Sequence, residues 1–405
     1  MIRSDAVIFG LLLATLGAIF WTTESKHPFW RRFYQYVPAV LLCYFLPAIY
    51  NSVGLIDGEH SALYAIASRY LLPATLVLLT VAIDLPATLR LGPKAITLFL
   101  TGSIGVVIGG PIALAIWQAL APSVVDPQLW RGMTAIAGSW IGGAANQAAM
   151  KEVFQIDNDL FGTMVAVDVV ISYVWMAILL WIAAHHQRLD RALHADTSAI
   201  TTLAERMERF SVERARIPTL ADIMFMLAIG FGVTGLSHAL AAPLAASFKG
   251  VEWAERFSLA SEFFWLVIIA TTLGLVLSFT RARNLEGAGA SKLGTAMLYV
   301  LIATVGMQMN IGAIFAHPAL LGIGFTWIAV HAILLLIVAR LMKAPYFFLA
   351  VGSQANIGGP ASAPVVAAAF HPALAPVGVL LAVLGYALGT YGAWITGQLM
   401  RLVSE

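Results

Sequence analysis

The chain has 405 residues, 60% of them hydrophobic and 11% charged, with a mean hydropathy of +0.86. A soluble domain carries about 25% charged residues, so this composition excludes an ordinary soluble protein and points to a polytopic α-helical membrane protein. A formal net charge of +2 leaves no basic footprint for nucleic acid, and the single cysteine, Cys43, excludes an internal disulfide and any cysteine-based metal site.

At the start of the chain Arg3 precedes an apolar run over 5–23. No clean small-residue cleavage site follows, so the run reads as an uncleaved first helix rather than a signal peptide. Apolar segments follow near 34–55, 62–85, 95–120, 130–154 and 159–185. The polar stretch 186–218 carries Arg188, Arg191, Arg206, Arg209, Arg214 and Arg216 and reads as a cytoplasmic connector, with a short amphipathic helix over 200–213. Segments near 219–246, 260–280, 291–315, 317–342, 345–370 and 373–402 complete about twelve by hydropathy. The expected organisation is an N-terminal transmembrane repeat (1–185), the connector (186–218) and a C-terminal transmembrane repeat (219–405).

Charge placement contains a contradiction. Arg281, Arg283, Lys292, Arg340, Lys343 and Arg401 fall on the connector side, as the positive-inside rule requires. Lys26, Arg31, Arg32, Arg90 and Lys94 fall on the other side if each half crosses six times. Either the halves are parallel and the first breaks the rule, or one crossing is miscounted and the halves are inverted. The second reading is preferred, and it sets the count at eleven or thirteen.

Two copies of one stretch organise the chain. The first is Gly138-Ser139-Trp140-Ile141-Gly142-Gly143-Ala144-Ala145-Asn146-Gln147. The second is Gly352-Ser353-Gln354-Ala355-Asn356-Ile357-Gly358-Gly359-Pro360-Ala361-Ser362. They align without a gap at an offset of 216, from Ile141 on Ile357 to Phe154 on Phe370. Leu91-Gly92-Pro93 resembles Ala316-His317-Pro318 at the head of the preceding segment in each half. Glycine costs roughly 1 kcal/mol in a helix interior and proline removes a donor, so both segments read as interrupted helices. Paired interruptions are the sequence mark of a repeat-built transporter with its site at the breaks.

About 11 residues precede the first break, which spans half of a roughly 30 Å hydrocarbon core and sets Gly142 and Gly143 near mid-membrane. Freed backbone groups there must face protein or a wet cavity, and half-helix ends carry partial charges suited to ions. Neutral oxygen donors cluster beside the breaks: Ser139, Asn146, Gln147, Ser353, Gln354, Asn356 and Ser362. Asp168 lies within an apolar run and costs about 2.5–3.5 kcal/mol to insert, so it reads as an ion ligand or proton carrier. The blander reading is that small residues permit close packing, amides bind helices together and Asp168 pairs with a neighbour. Asp84 reads equally as a helix end or a site residue, with Gln308 and Asn310 at the matching place. His238 and His331 read as hydrogen-bonded structure. No zincin, P-loop or nucleophile-elbow signature occurs, so the chain reads as no enzyme and as not ATP-driven.

The Gly138–Asn146 stretch, the Ala166-Val167-Asp168 step and Gln354–Ala361 resemble the bacterial and plastid membrane family known as domain of unknown function 819, over nearly the whole chain. That family is distantly similar to bile acid:sodium symporters and cation:proton antiporters. The resemblance implies an all-α fold of two inverted repeats, with broken helices crossing in a core beside a panel or dimerisation domain. It also implies an elevator-type secondary transporter in a bacterial inner membrane, in contact with the lipid bilayer and able to form a homodimer. Gln147 and Met150 depart from the more apolar residues of that family.

The leading expectation is symport of a small organic solute, an anion, with sodium or protons and no bound cofactor. Ser139, Asn146, Asp168, Ser353, Gln354 and Asn356 would serve the ion, with Asn146, Asp168, Gln354 and Asn356 as the sodium ligands. Gly142, Gly143, Gln147, Gly358, Gly359 and Ser362 would shape the solute pocket. The alternatives are a cation:proton antiporter and a non-transporting membrane solute sensor.

Overall fold

A computed structural model describes residues 1–58, 60–193, 195, 200, 203, 217–309 and 319–405. Among these the regular structure is all helical, with turns between the helices and one isolated bridge between Ile2 and Ile56. The helix expected over 200–213 falls outside the described residues except at Ile200 and Leu203, and Asn310, His317 and Pro318 also lie outside them.

The first half contains α1 (Asp5–Thr23), α2 (Pro28–Tyr36), α3 (Ala39–Ser52) and α4 (Leu63–Val81). It continues with α5 (Leu85–Leu89), α6 (Pro93–Leu120), α7 (Leu129–Val153) and α8 (Asn158–Leu193). The second half contains α9 (Leu220–Phe248), α10 (Glu252–Arg256), α11 (Glu262–Ser278), α12 (Ala290–Gly306) and α13 (Ala319–Leu341). It ends with α14 (Tyr346–Ile357), α15 (Gly359–Phe370) and α16 (Ala375–Ser404). Seven helices among the described residues are long and apolar enough to span a membrane, or nine if each of two bent pairs counts as one span. Local chemistry sets several starts. Thr219 and Asp222 close a capping box on α9, and Ser261 caps α11 through the Phe264 amide.

The two interrupted segments go further than a break: each doubles back on itself. In α7, Gly143 has φ 74° and ψ −175°, a region open essentially only to glycine, and the chain reverses there. The rings of Trp130 and Phe154 stand 5.7 Å apart, and Arg131 Nη1 donates to the Phe154 carbonyl at 3.5 Å. In a straight helix, residues 24 apart would lie about 36 Å from one another. In the second segment Gly359 has φ 59°, the Phe347 and Phe370 rings stand 5.4 Å apart, and Gln354 Nε2 donates to Ser362 Oγ at 2.7 Å. The pairs coincide at the offset of 216: residues 131 and 154 match 347 and 370. Residue 138, whose Cα approaches the Asn146 carbonyl, matches 354 against 362. Both segments are therefore helical hairpins with glycine tips. Each limb of about 12 residues rises roughly 18 Å, past the middle of a hydrocarbon core.

The helices pack as two groups that cut across the sequence halves. α1, α3, α4, α9, α11 and α12 form a panel, while α6, α7, α8, α13, α14, α15 and α16 form a core. In the core each half meets the other: α6 packs on α13, α7 on α16, and α8 on α14 and α15. The first hairpin lies flush on α16 because Gly142 meets Gly389. A Cβ on Gly142 would lie 2.7 Å from the Gly389 Cα.

Candidate functional site

A cavity of about 360 Å³ opens where the two hairpin tips face the panel. Gly143 and Ala144 of the first tip and Ile357–Ser362 of the second form part of its core wall, beside Asp168 of α8. Tyr44 of α3 and Thr295, Leu298, Tyr299 and Ile302 of α12 form the panel wall. Of the residues expected at a site, Ser139, Gly143, Gln147, Asp168, Gln354, Gly358, Gly359 and Ser362 line this cavity.

Asp168 is buried and fully engaged. Its Oδ1 accepts from Trp140 Nε1 at 2.7 Å and Ser172 Oγ at 3.0 Å, its Oδ2 accepts from Gln147 Nε2 at 3.0 Å, and the Ser139 hydroxyl also bonds to the carboxyl. Such a shell offsets the loss of water around a carboxylate, because hydrogen bonds to an ionised acceptor are the strong kind. Gln147 also links the core to the panel, since Tyr44 Oη donates to its Oε1 at 3.3 Å. Among the described residues, Asp168 is the only acidic side chain lining the cavity, and no lysine, arginine or histidine lines it.

Gln354 differs. Its Nε2 is held by Ser362, but its Oε1 is buried without a hydrogen-bond partner among the described residues. A buried acceptor left unmade costs about 1–3 kcal/mol, so this oxygen is poised for a donor or a cation from the cavity. Two half-helix N-termini also open here, at Ala144 of the first hairpin and at Ala361 of the second, where first-turn N–H groups have no partner within the helix and Pro360 contributes none.

Asn146, Ser353, Asn356 and Gly142 do not line the cavity. Asn146 Nδ2 donates to the Gly142 and Tyr386 carbonyls, and its Oδ1 accepts from Thr390 Oγ1. Asn356 Nδ2 donates to the Phe99 and Gly352 carbonyls, and its Oδ1 accepts from Ser103 Oγ. Ser353 Oγ accepts from Trp175 Nε1 and meets His331 Nε2 at 2.8 Å, while His331 Nδ1 meets the Gly102 carbonyl. These residues clamp each hairpin to its neighbouring helices. The four expected sodium ligands are thus split: Asp168 and Gln354 share the cavity, whereas Asn146 and Asn356 turn into the protein. No group of three His, Cys, Asp or Glu residues among the described ones could hold a metal ion.

Asp84 caps α5 through the Ala87 amide and pairs with Arg283 at 3.3 Å, away from the cavity. His238 bonds to the Arg69 carbonyl. Sequence reasoning missed Tyr44, Thr295, Tyr299 and Tyr386, all of which line the cavity. Their segments read as plain apolar helices, and no local pattern marks which hydroxyl faces a hairpin tip.

The family described as "Protein of unknown function (DUF819)" matches residues 10–403. The chain is also similar to "Uncharacterized membrane protein YjcL" of Bacillus subtilis (strain 168), at 22% identity over 360 residues, 86% of each chain.

Proposed function

The chain belongs to that family, and from this premise we propose that it is a secondary active transporter. It moves a small organic solute by an elevator mechanism coupled to sodium or protons. The observation that carries the reading is the cavity between two matched hairpin tips and a separate panel, with the buried Asp168 carboxyl and the unpartnered Gln354 Oε1 in its wall. Asp168 and Gln354 supply oxygen to a coupling cation or proton. With no basic side chain among the described residues of the wall, an anionic group on the solute rests on the two half-helix N-termini, which suits a single carboxylate-sized charge. The core, which carries both tips, slides against the panel to change the side on which the cavity opens.

The hairpins support inverted repeats. If α7 and the α14–α15 pair each return to the side they entered, and the 17-residue α12 crosses, each half makes five crossings, an odd number, and the halves are inverted, with ten crossings in place of the eleven or thirteen expected from the sequence. Lys26, Arg31, Arg32, Arg90 and Lys94 then join the connector, Arg281, Arg283, Lys292, Arg340 and Lys343 on one side, in keeping with the positive-inside rule. Contacts agree with this arrangement. Asp190 Oδ1 accepts from the Tyr346 amide and Arg283 pairs with Asp84 at one end, whereas Arg3 pairs with Asp57 at the other.

A cation:proton antiporter ranks second, since Asp168 stands without a second acid or a lysine among the described residues of the cavity wall. Solid-supported-membrane currents in proteoliposomes, across a solute library with and without a sodium or proton gradient, test the proposal. A solute-dependent current above empty liposomes is expected. Binding without flux would replace transport with sensing, and solute-independent proton movement driven by a cation gradient would promote the antiporter.

A further inference from the structure

A second cavity, of about 200 Å³, lies at the open end of the first hairpin, opposite its tip. Its wall brings together Trp130 and Arg131 at the start of α7, Phe154 and Gln155 at its end, Glu255 of α10, whose Oε1 accepts from the Gly250 amide, Ser258, Ala260 and Ser261 leading into α11 of the panel, and Arg401 of α16. Two guanidinium groups converge on one indole: Arg131 and Arg401 stand 5.4 and 5.8 Å from the Trp130 ring. Arg401 is balanced by Glu405 at 2.7 Å and also donates to the Arg256 carbonyl. Arg131 has no carboxylate partner among the described residues; its one hydrogen bond goes to the Phe154 carbonyl, and its buried Nε has no acceptor. A guanidinium with an unmet buried donor, facing a cavity beside a second guanidinium, is half of an anion site.

The surroundings identify the depth. Trp253 and Phe257 are exposed beside the cavity, and Trp394 donates to the Phe257 carbonyl. Tryptophan gathers where a membrane protein crosses the headgroup layer, which is also where phosphodiesters lie. We propose that this cavity binds the phosphate group of a membrane phospholipid, held by Arg131 with Arg401 beside it. The planar guanidinium fits phosphate oxygens in pairs, and its face remains stacked on Trp130. Because the wall is drawn from both the core and the panel, the bound lipid bridges the two groups.

Native mass spectrometry of the purified protein with phosphatidylglycerol, phosphatidylethanolamine or a phosphate-free diglycosyl lipid tests this. Competition by inorganic phosphate forms a further arm. Retention of both phospholipids over the glycolipid is expected, with about tenfold weaker retention in Arg131→Gln. Ala260→Phe, which fills the cavity and keeps every charge, is expected to show the same loss. Melting temperature measured without added lipid separates loss of the site from loss of the fold. Equal retention of phospholipid and glycolipid, or unchanged retention in a folded Arg131→Gln and Ala260→Phe, overturns the site. Full displacement by inorganic phosphate overturns the lipid source.

Discussion

Gly143 and Gly359 stand 216 positions apart, and each holds the positive-φ reversal at the tip of a helical hairpin, at 74° and 59°. Their environments differ in what a side chain would meet. A Cβ on Gly359 meets nothing within 4 Å, and one on Gly143 meets only Tyr386 at 3.5 Å. Alanine at either position therefore suffers from backbone strain alone, about 1–3 kcal/mol. Gly142→Ala adds a collision, since its Cβ would fall 2.2 Å from Asn146 Nδ2 and 2.7 Å from the Gly389 Cα. Melting curves in detergent are expected to rank Gly142→Ala as clearly the most damaging of the three. Equal losses at all three positions would mean that the tip does not sit against α16 as described.

Removing the Asp168 charge separates ion coupling from structure. Asp168→Asn keeps an acceptor for Trp140 and Ser172 and lowers the insertion cost, so the folded protein is expected in normal amount without its cation or proton dependence. Asp168→Ala leaves the buried Trp140 and Gln147 donors unmade, at about 1–3 kcal/mol each, and is expected to lower the melting temperature as well. Retention of full ion dependence in Asp168→Asn would remove Asp168 from the coupling site.

The amides beside the breaks fall into two kinds. Gln354→Ala deletes an unpartnered oxygen in the cavity wall and is expected to change ion or solute affinity about 5- to 150-fold. Asn146→Ala and Asn356→Ala delete groups bonded wholly to protein and are expected to reduce thermal stability first, with affinity kept in the surviving protein. A titration beside a melting curve for the three variants tests the division. The reverse pattern would move the ion onto the asparagines.

Much of this was legible from the residues alone. Most segment starts fell within a few positions of the helices because apolar runs bounded by Pro93, Gly289 or Pro345 have few other places to begin, but α8 runs on to Leu193 beyond the expected 185, and α12 ends at Gly306, ahead of the expected 315. The glycine pairs marked the tips because both fall at one offset inside apolar segments with amides beside them. Reversal itself was not legible, since a kink and a hairpin need the same glycine, and contacts between the limb ends, such as Arg131 with Phe154 and Phe347 with Phe370, distinguish them. Nor was the direction of each amide: Asn146 and Gln147 are neighbours, yet a turn of about 100° sends one to α16 and the other to the cavity.

The hairpin reading fixes a side for each loop. In a Cys43→Ala background, Ser25→Cys is expected to react with an impermeant maleimide from the same side as Gln187→Cys, and Asp126→Cys from the opposite side. A spanning α7 predicts the reverse for both. Labelling of Asp126→Cys together with Gln187→Cys in sided vesicles would return α7 to a crossing and make the halves parallel.

An elevator motion must break whatever joins core to panel, and the clearest join is at Tyr64. Its hydroxyl accepts from Lys151 Nζ at 2.9 Å and donates to Glu152 Oε1, while the ammonium lies 4.3 Å from its ring centroid. Tyr64 belongs to α4 in the panel, and both partners belong to the second limb of the first hairpin. Tyr64→Cys with Lys151→Cys, joined by a short reducible thiol linker in a Cys43→Ala background, fixes the core at this height. Solute binding from the open side is expected to persist, flux is expected to stop, and reduction of the linker is expected to restore it. Each single variant under the same reagent controls for loss of the hydroxyl or the ammonium. Full flux in the cross-linked protein would show that solute passes without the core moving along the panel.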